Sequence, residues 1–285
     1  MISSETTFYP STDGVQVAVH DFGGQGRLLL FCHATGFCAH TWSPMIESLA
    51  DQFHCVALDV RAHGLTKLPV GASLAWRGMA DDVTAVIEAL SPDEPMLTVG
   101  HSLGGSAIIL AETGRPGLVE RAWMFEPILM RAAPVAIGRN APDIANAARG
   151  RRATFASRQE AVERFARRPP LSLLDPRALE AYVEHGFEYL PDGSVTLRCR
   201  PEDEASVFEH HFSGTFERAA DLTIPVVMAT GGGSQGPADR VAEAAAANPA
   251  LKRVEYQDLS HFGPLQAPDR LAADVAAFML DTPSA

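Results

Sequence analysis

The chain has 285 residues, 46% of them hydrophobic and 20% charged, with a formal net charge of −12. That length holds ample core for one large domain with an insertion, or for two small ones. The acidic balance argues against a nucleic-acid partner, because phosphate backbones attract basic surfaces. Cys32, Cys38, Cys55 and Cys199 show neither metal-ligand spacing nor a disulfide framework, and Cys32 and Cys55 fall inside apolar runs as small hydrophobes. No N-terminal apolar core with a cleavage site and no apolar run of membrane-spanning length occurs, so a cytoplasmic protein without a membrane partner is expected.

In chain order, Thr6 to Pro10 and Val15 to Asp21 read as strands joined by the hairpin signal Thr12-Asp13-Gly14. Gly23 to Gly26 reads as a loop and Leu28 to Phe31 as a buried strand. Trp42, Met45, Ile46 and Leu49 have helical spacing within Thr41 to Ala50, and Phe53 to Leu58 is the next buried strand. Ala80, Val83, Val86, Ile87 and Leu90 mark a helix face that Pro92 ends. A strand over Met96 to Val99, a small-residue helix from Gly104 and a strand over Arg121 to Phe125 follow. From about Leu129 to Ala220 the chain turns Arg-rich and helical, with no buried strand of the earlier type. A strand then returns at Ile224 to Ala229, followed by a helix over Arg240 to Ala247, a strand over Arg253 to Gln257 and a final helix carrying Leu271, Val275, Phe278 and Met279. Alternating strands and helices of these lengths predict a mostly parallel sheet covered on both faces. The middle third is then an insertion into a continuing sheet and is read as a cap.

The chain is organised around Gly100-His101-Ser102-Leu103-Gly104-Gly105. A strand that turns sharply into a helix holds its middle residue in a strained geometry and pushes its side chain outward. Glycines on both sides are required there, since a Cβ would strike the neighbouring strand or helix. Ser102 is therefore the candidate nucleophile. Ligands of a parallel sheet bind beyond the carboxyl ends of its strands. Those ends carry Cys32 to Phe37, Asp59 to Gly64, Glu126, and Ser260-His261-Phe262-Gly263. A serine hydroxyl needs a base to take its proton, and His261, in the loop after the last strand, is the best placed.

Taken together, His33-Ala34-Thr35-Gly36, Asp59-x-Arg61-x-x-Gly64, Gly100-His101-Ser102-Leu103-Gly104-Gly105 and Ser260-His261-Phe262 resemble the α/β-hydrolase fold family over nearly all of the chain outside the insertion. The resemblance implies an eight-stranded, mostly parallel sheet flanked by helices, built from residues 1–128 and 222–285, with a mainly helical cap, 129–221, inserted after the sixth strand. It also implies an oxyanion hole made by the N–H groups of Thr35 and Leu103.

The family's usual acid is missing. The loop after Pro225 to Ala229 reads Thr230-Gly231-Gly232-Gly233-Ser234-Gln235-Gly236, and Asp239 falls at a helix start, where an acid complements the helix dipole. Glu126 ends the strand expected beside the nucleophile strand, about 5 Å away, and one haloalkane dehalogenase subfamily resembles this placement. Glu126 is therefore taken as the orienting acid, with Asp239 as its competitor. Phe37, Leu129 and Phe262 flank these loops and are candidates to line a pocket.

His33 and His63 read as loop-holding residues, Glu209-His210-His211 as no metal site, and the arginines from Arg149 to Arg168 as a solvated face or, less simply, a lure for an anionic substrate. The expected activity is cofactor-free hydrolysis of a small ester or lactone. Carbon–carbon bond hydrolysis, perhydrolysis and a non-catalytic small-molecule receptor stay open on the same fold, as does a homodimer.

Overall fold

A computed structural model describes residues 2–132, 141–211, 213–232 and 237–281. The first half builds β1 (Glu5–Pro10), β2 (Gln16–Gly24), β3 (Arg27–Cys32), α1 (Ser43–Leu49), β4 (Phe53–Leu58), α2 (Trp76–Leu90), β5 (Met96–His101), α3 (Leu103–Gly114) and β6 (Val119–Phe125). After an intervening segment come β10 (Val226–Gly231), α9 (Pro237–Ala247), β11 (Leu251–Tyr256), α10 (Gly263–Gln266) and α11 (Pro268–Leu280). These strands form one sheet in the order β1-β2-β4-β3-β5-β6-β10-β11. The six strands from β4 to β11 run parallel, and β1 and β2 join antiparallel. This is the α/β-hydrolase fold anticipated from the sequence, with the sheet interrupted after the sixth strand.

The central strands are apolar on both faces, and two core clusters lie on opposite sides of the sheet. One gathers Leu30, Val56, Val83, Ile87, Leu103, Ile108 and Met124, packing α2 and α3. The other gathers Phe31, Trp42, Phe53, Val99, Trp123, Phe125, Leu271 and Val275, packing α1 and α11. Two local differences from the sequence reading have physical causes. β2 continues through Gly23 and Gly24 across a register shift, because Gly24 at φ +107° lies where a Cβ would stand 2.2 Å from the Phe53 carbonyl oxygen. The helix expected over Thr41 to Ala50 begins as a 3-10 turn at Ala39–Trp42 and becomes α-helical at Ser43, just before Pro44, which has no N–H to offer and suits a helix start.

The segment between β6 and β10 holds α4 (Ala141–Arg149), β7 (Thr154–Phe155), α5 (Arg158–Phe165), α6 (Pro176–His185), β8 (Phe187–Tyr189), β9 (Val195–Leu197), α7 (Pro201–Glu209) and α8 (Thr215–Ala220). It is mainly helical, but it also contains a small antiparallel sheet in the order β7-β9-β8. Its own core, around Phe155, Leu179, Tyr182, Phe187 and Leu197, includes Ala34 and Phe37 from the loop after β3 and Leu265 from α10. The segment therefore packs onto the carboxyl ends of the parallel strands. Among the described residues no helix is long and apolar enough to cross a membrane.

Candidate active site

Ser102 sits between β5 and α3 at φ 53°, ψ −117°. For a non-glycine residue this is strained backbone, held because the surroundings leave no alternative. The surroundings are tight: a Cβ on Gly100 would come within 2.6 Å of the Gly105 Cα, and one on Gly104 within 2.1 Å of the Cys32 carbonyl oxygen. The Ser102 N–H donates to the Phe125 carbonyl at 3.0 Å, joining the turn to β6. The Ser106 hydroxyl accepts from the Ile128 N–H at 2.9 Å, fastening α3 to the chain just past Glu126.

Glu126 leaves β6 at φ 44° and is completely buried. Its Oε2 lies 2.6 Å from Nδ1 of His261, and its Oε1 accepts the Gly231 N–H at 2.8 Å. A buried carboxylate is costly unless its oxygens are satisfied, and here each oxygen has a donor. The last residue of β10, just before the stretch that lacks an acid, thus contributes a backbone amide to the acid at the end of the neighbouring β6. Gly231 can do so because it runs against the Leu259 carbonyl, 2.4 Å from where a Cβ would be. Asp239 lies in the first turn of α9, as the dipole argument placed it. Gly233 to Gly236 of the expected loop lie outside the described residues.

His261 follows β11 with its side chain 28% exposed. Its backbone carbonyl accepts a 2.7 Å hydrogen bond from Nε2 of His101, the residue preceding Ser102. The two imidazoles are 5.1 Å apart. Burial, reinforced by proximity to His261, holds the His101 imidazole well below the ordinary histidine range, so it is neutral. Sequence reasoning missed this contact because its acceptor is main chain.

Around Thr35 the amides divide. The Gly36 N–H donates to Nε2 of His63 at 2.8 Å, and the Phe37 N–H to the Ala34 carbonyl at 3.2 Å. The Thr35 N–H has no acceptor among the described residues. Leu103 opens α3, so its N–H is one of those a helix leaves unpaired. His33 and His63 hold loops, as expected: Nε2 of His33 accepts the Val60 N–H at 3.0 Å, and Nδ1 of His63 donates to the Arg61 carbonyl. Burial, followed by His63, pushes the His33 imidazole down to about 3.

Of the pocket candidates, Phe37 and Phe262 come together, ring centroids 5.9 Å apart, with Phe262 5.3 Å from the His261 ring. Leu129 does not join them; it is buried in the core cluster on the α2 and α3 side. The arginine run is not a bare solvated face. Arg149 pairs with Glu202 and Glu209, Arg152 with Glu160 and Arg158 with Glu184. Arg151 turns inward to pair with Glu204 and to donate to the Tyr182 hydroxyl at 2.8 Å. That pair presses on Gly36, whose absent Cβ would stand 2.6 Å from Glu204 Oε1. Among the described residues no three histidine, cysteine or acidic side chains converge in a metal-binding arrangement.

A fold of this topology, with a strained serine at the turn after β5, a buried carboxylate after the adjoining β6 and a histidine reaching that carboxylate from the loop after β11, defines the class. The alpha/beta hydrolase family profile matches residues 29–274, and the chain belongs to that family. It is 33% identical over 154 residues to protein phosphatase methylesterase 1 of Rattus norvegicus, covering 51% of this chain and 38% of that protein. It is 35% identical over 96 residues to 2-(acetamidomethylene)succinate hydrolase of Mesorhizobium japonicum, 34% of each chain. The matches therefore span little more than a third of these relatives' lengths. The crystal structure of E-2-(acetamidomethylene)succinate hydrolase superposes with a TM-score of 0.82 at 22% identity, over 97% of this chain and 99% of that one.

Proposed function

We propose that the protein is a cofactor-independent serine hydrolase acting on a small ester or lactone with an apolar acyl part. Ser102 Oγ attacks the carbonyl carbon while Nε2 of His261 takes the hydroxyl proton. Glu126 fixes the imidazole's tautomer through Nδ1 and balances the imidazolium as it forms. The oxyanion is received by the N–H groups of Thr35 and Leu103, worth several kcal/mol when both are preorganised. The intermediate collapses as His261 returns the proton to the leaving oxygen. Water, deprotonated by the same imidazole, then releases the acid from Ser102. Residues 129–221 act as the cap, with Phe37 and Phe262 on the apolar wall.

The observation that carries this reading is the 2.6 Å contact between Nδ1 of His261 and Glu126, made on the strand adjoining that of a strained Ser102. The unpaired Thr35 amide supports the oxyanion assignment. The names of the relatives, a methylesterase among them, favour cleavage at a carbonyl–heteroatom bond over carbon–carbon cleavage.

The test is intact mass after exposure to a fluorophosphonate, followed by turnover of an ester and lactone panel. One adduct, absent in Ser102→Ala, is expected. Absence of any adduct, together with ligand-induced thermal stabilisation and no turnover, points instead to a receptor.

A further inference from the structure

His101 ends β5 in register with Phe125, and it is 1% exposed. Its ring is enclosed by Trp42, Phe125, Phe262 and His261, with centroids 6.4, 6.2, 6.3 and 5.1 Å away. A carbonyl oxygen only accepts, so in the 2.7 Å contact with the His261 backbone Nε2 of His101 carries the hydrogen, and the tautomer is set. An apolar ring would fill this enclosure as well. The feature that a phenylalanine could not supply is the bond to residue 261.

That bond has a specific geometric effect. The loop bearing His261 leaves the outermost strand, β11, and must cross past β10 to reach Glu126 at the end of β6 and His101 at the end of β5. Its side chain is fixed at one end by Glu126, and its main chain is fixed by a donor on the residue next to Ser102. We infer that His101 is a positioning residue, tethering the backbone of His261 to the nucleophile turn so that the imidazole is presented between Glu126 and Ser102. The role in turnover rests on the hydrolase reading above; the tether itself does not. An error of about 1 Å in placing a reacting group can cost on the order of 100-fold in rate. Loss of one tether of two is therefore expected to lower kcat about 10- to 100-fold with KM within a few-fold.

The experiment compares His101→Phe, which keeps the ring and removes the donor, with His101→Gln, whose amide nitrogen reaches the position of Nε2. The first readout is the low-field proton resonance of the His261 Nδ1–H, identified by its loss in His261→Ala. It is expected to shift and exchange faster with solvent in His101→Phe, and to return toward the parent in His101→Gln. The second readout is kcat and the fluorophosphonate labelling rate, expected to fall and recover in parallel. An unaltered resonance and exchange rate in folded His101→Phe overturns the tether. If His101→Phe does not fold, His101→Asn, too short to reach, replaces it in the comparison; equal resonances in the Asn and Gln variants overturn the proposal. Failure of the unsubstituted protein to label at Ser102, with the resonance responding as expected, removes the hydrolase reading and leaves the tether standing.

Discussion

His261 and Glu126 lie 135 residues apart in the chain and 2.6 Å apart in space, Nδ1 to Oε2, with the carboxylate fully buried and the imidazole partly open. A buried carboxylate against a ring nitrogen fixes which nitrogen carries the proton and leaves the other free to act. Glu126→Gln keeps the shape and removes the charge. It is expected to lower kcat by about 10³- to 10⁴-fold, the scale on which such an acid acts in serine hydrolases generally. Asp239→Asn, in the first turn of α9, is expected to stay within a few-fold of the parent. Steady-state turnover of whichever ester proves a substrate checks both, and the reverse ranking would move the acid to Asp239.

Gly104→Ala tests the packing of the turn. A methyl at this position meets the Cys32 carbonyl oxygen at 2.1 Å and the His33 carbonyl oxygen at 2.8 Å, both main-chain atoms that cannot step aside. The helix must lift from β3. The expected cost is on the order of 2–3 kcal/mol of stability, with a larger fall in labelling rate than in folded fraction, because Leu103 moves with the helix. Urea denaturation and labelling kinetics measure the two effects separately.

Arg151→Met leaves Glu204, which is 8% exposed, without its cation. Removing one member of a buried pair costs more than the pair contributes, since the remaining charge stays desolvated. About 2–4 kcal/mol of destabilisation is expected, with most of it recovered in Arg151→Met combined with Glu204→Met. Because the pair rests on Gly36, the single variant is also expected to raise KM. A double-mutant cycle by thermal melting separates coupling from the individual costs.

Acid pH is expected to destabilise the fold. Burial, then His63, pushes the His33 imidazole down to about 3, and burial, then His20 and His185, does the same for His40. The unfolded chain takes up these protons as pH falls below about 6.5, while the folded chain refuses them until about 3. Stability is therefore fully present above 6.5 and is lost progressively on acidification, by up to about 1.4 kcal/mol per pH unit for each group. Asp59 adds a loss in the same direction below the ordinary carboxylate range: burial alone would raise it, but the hydrogen bond and charge of His20 hold it well below. Thermal melts from pH 7 to 4.5 should show a falling Tm, with a shallower slope in His40→Phe. A flat profile contradicts the argument.

The central sheet was legible because β3, β4, β5 and β6 are short, largely apolar runs, and its carboxyl ends because Ser102 and Glu126 stand just past two of them, with His261 in the loop after the last strand. The small sheet of β7, β8 and β9 was not, since strands of two or three residues are too short for a period to show. Placing Glu126 rested on the adjacency of β5 and β6, on the absence of a carboxylate from Thr230 to Gly236 and on the dehalogenase resemblance. The donors that complete its surroundings did not show: the Gly231 amide and the His101 bond to a carbonyl involve main-chain groups, which every residue carries. A glycine where the usual acid is missing was the available signal for the first. Leu129 was misleading because closeness in sequence to Glu126 does not decide which side of the sheet a residue three places on faces.

The position of Glu126 has a genealogical consequence. The Ser102 turn and the Glu126 carboxylate fall within one uninterrupted passage, Met96 to Glu126, a single strand–helix–strand unit whose two strands are hydrogen-bonded to each other. Recombination or gene duplication that moves this unit moves both groups in correct mutual register, and under the proposed mechanism the imidazole is the one member of the trio that must be found in the recipient. A fold arranged in this way can exchange its insertion and rework the stretch after β10 without breaking up the pair, which makes those two regions the natural places for new specificities to arise.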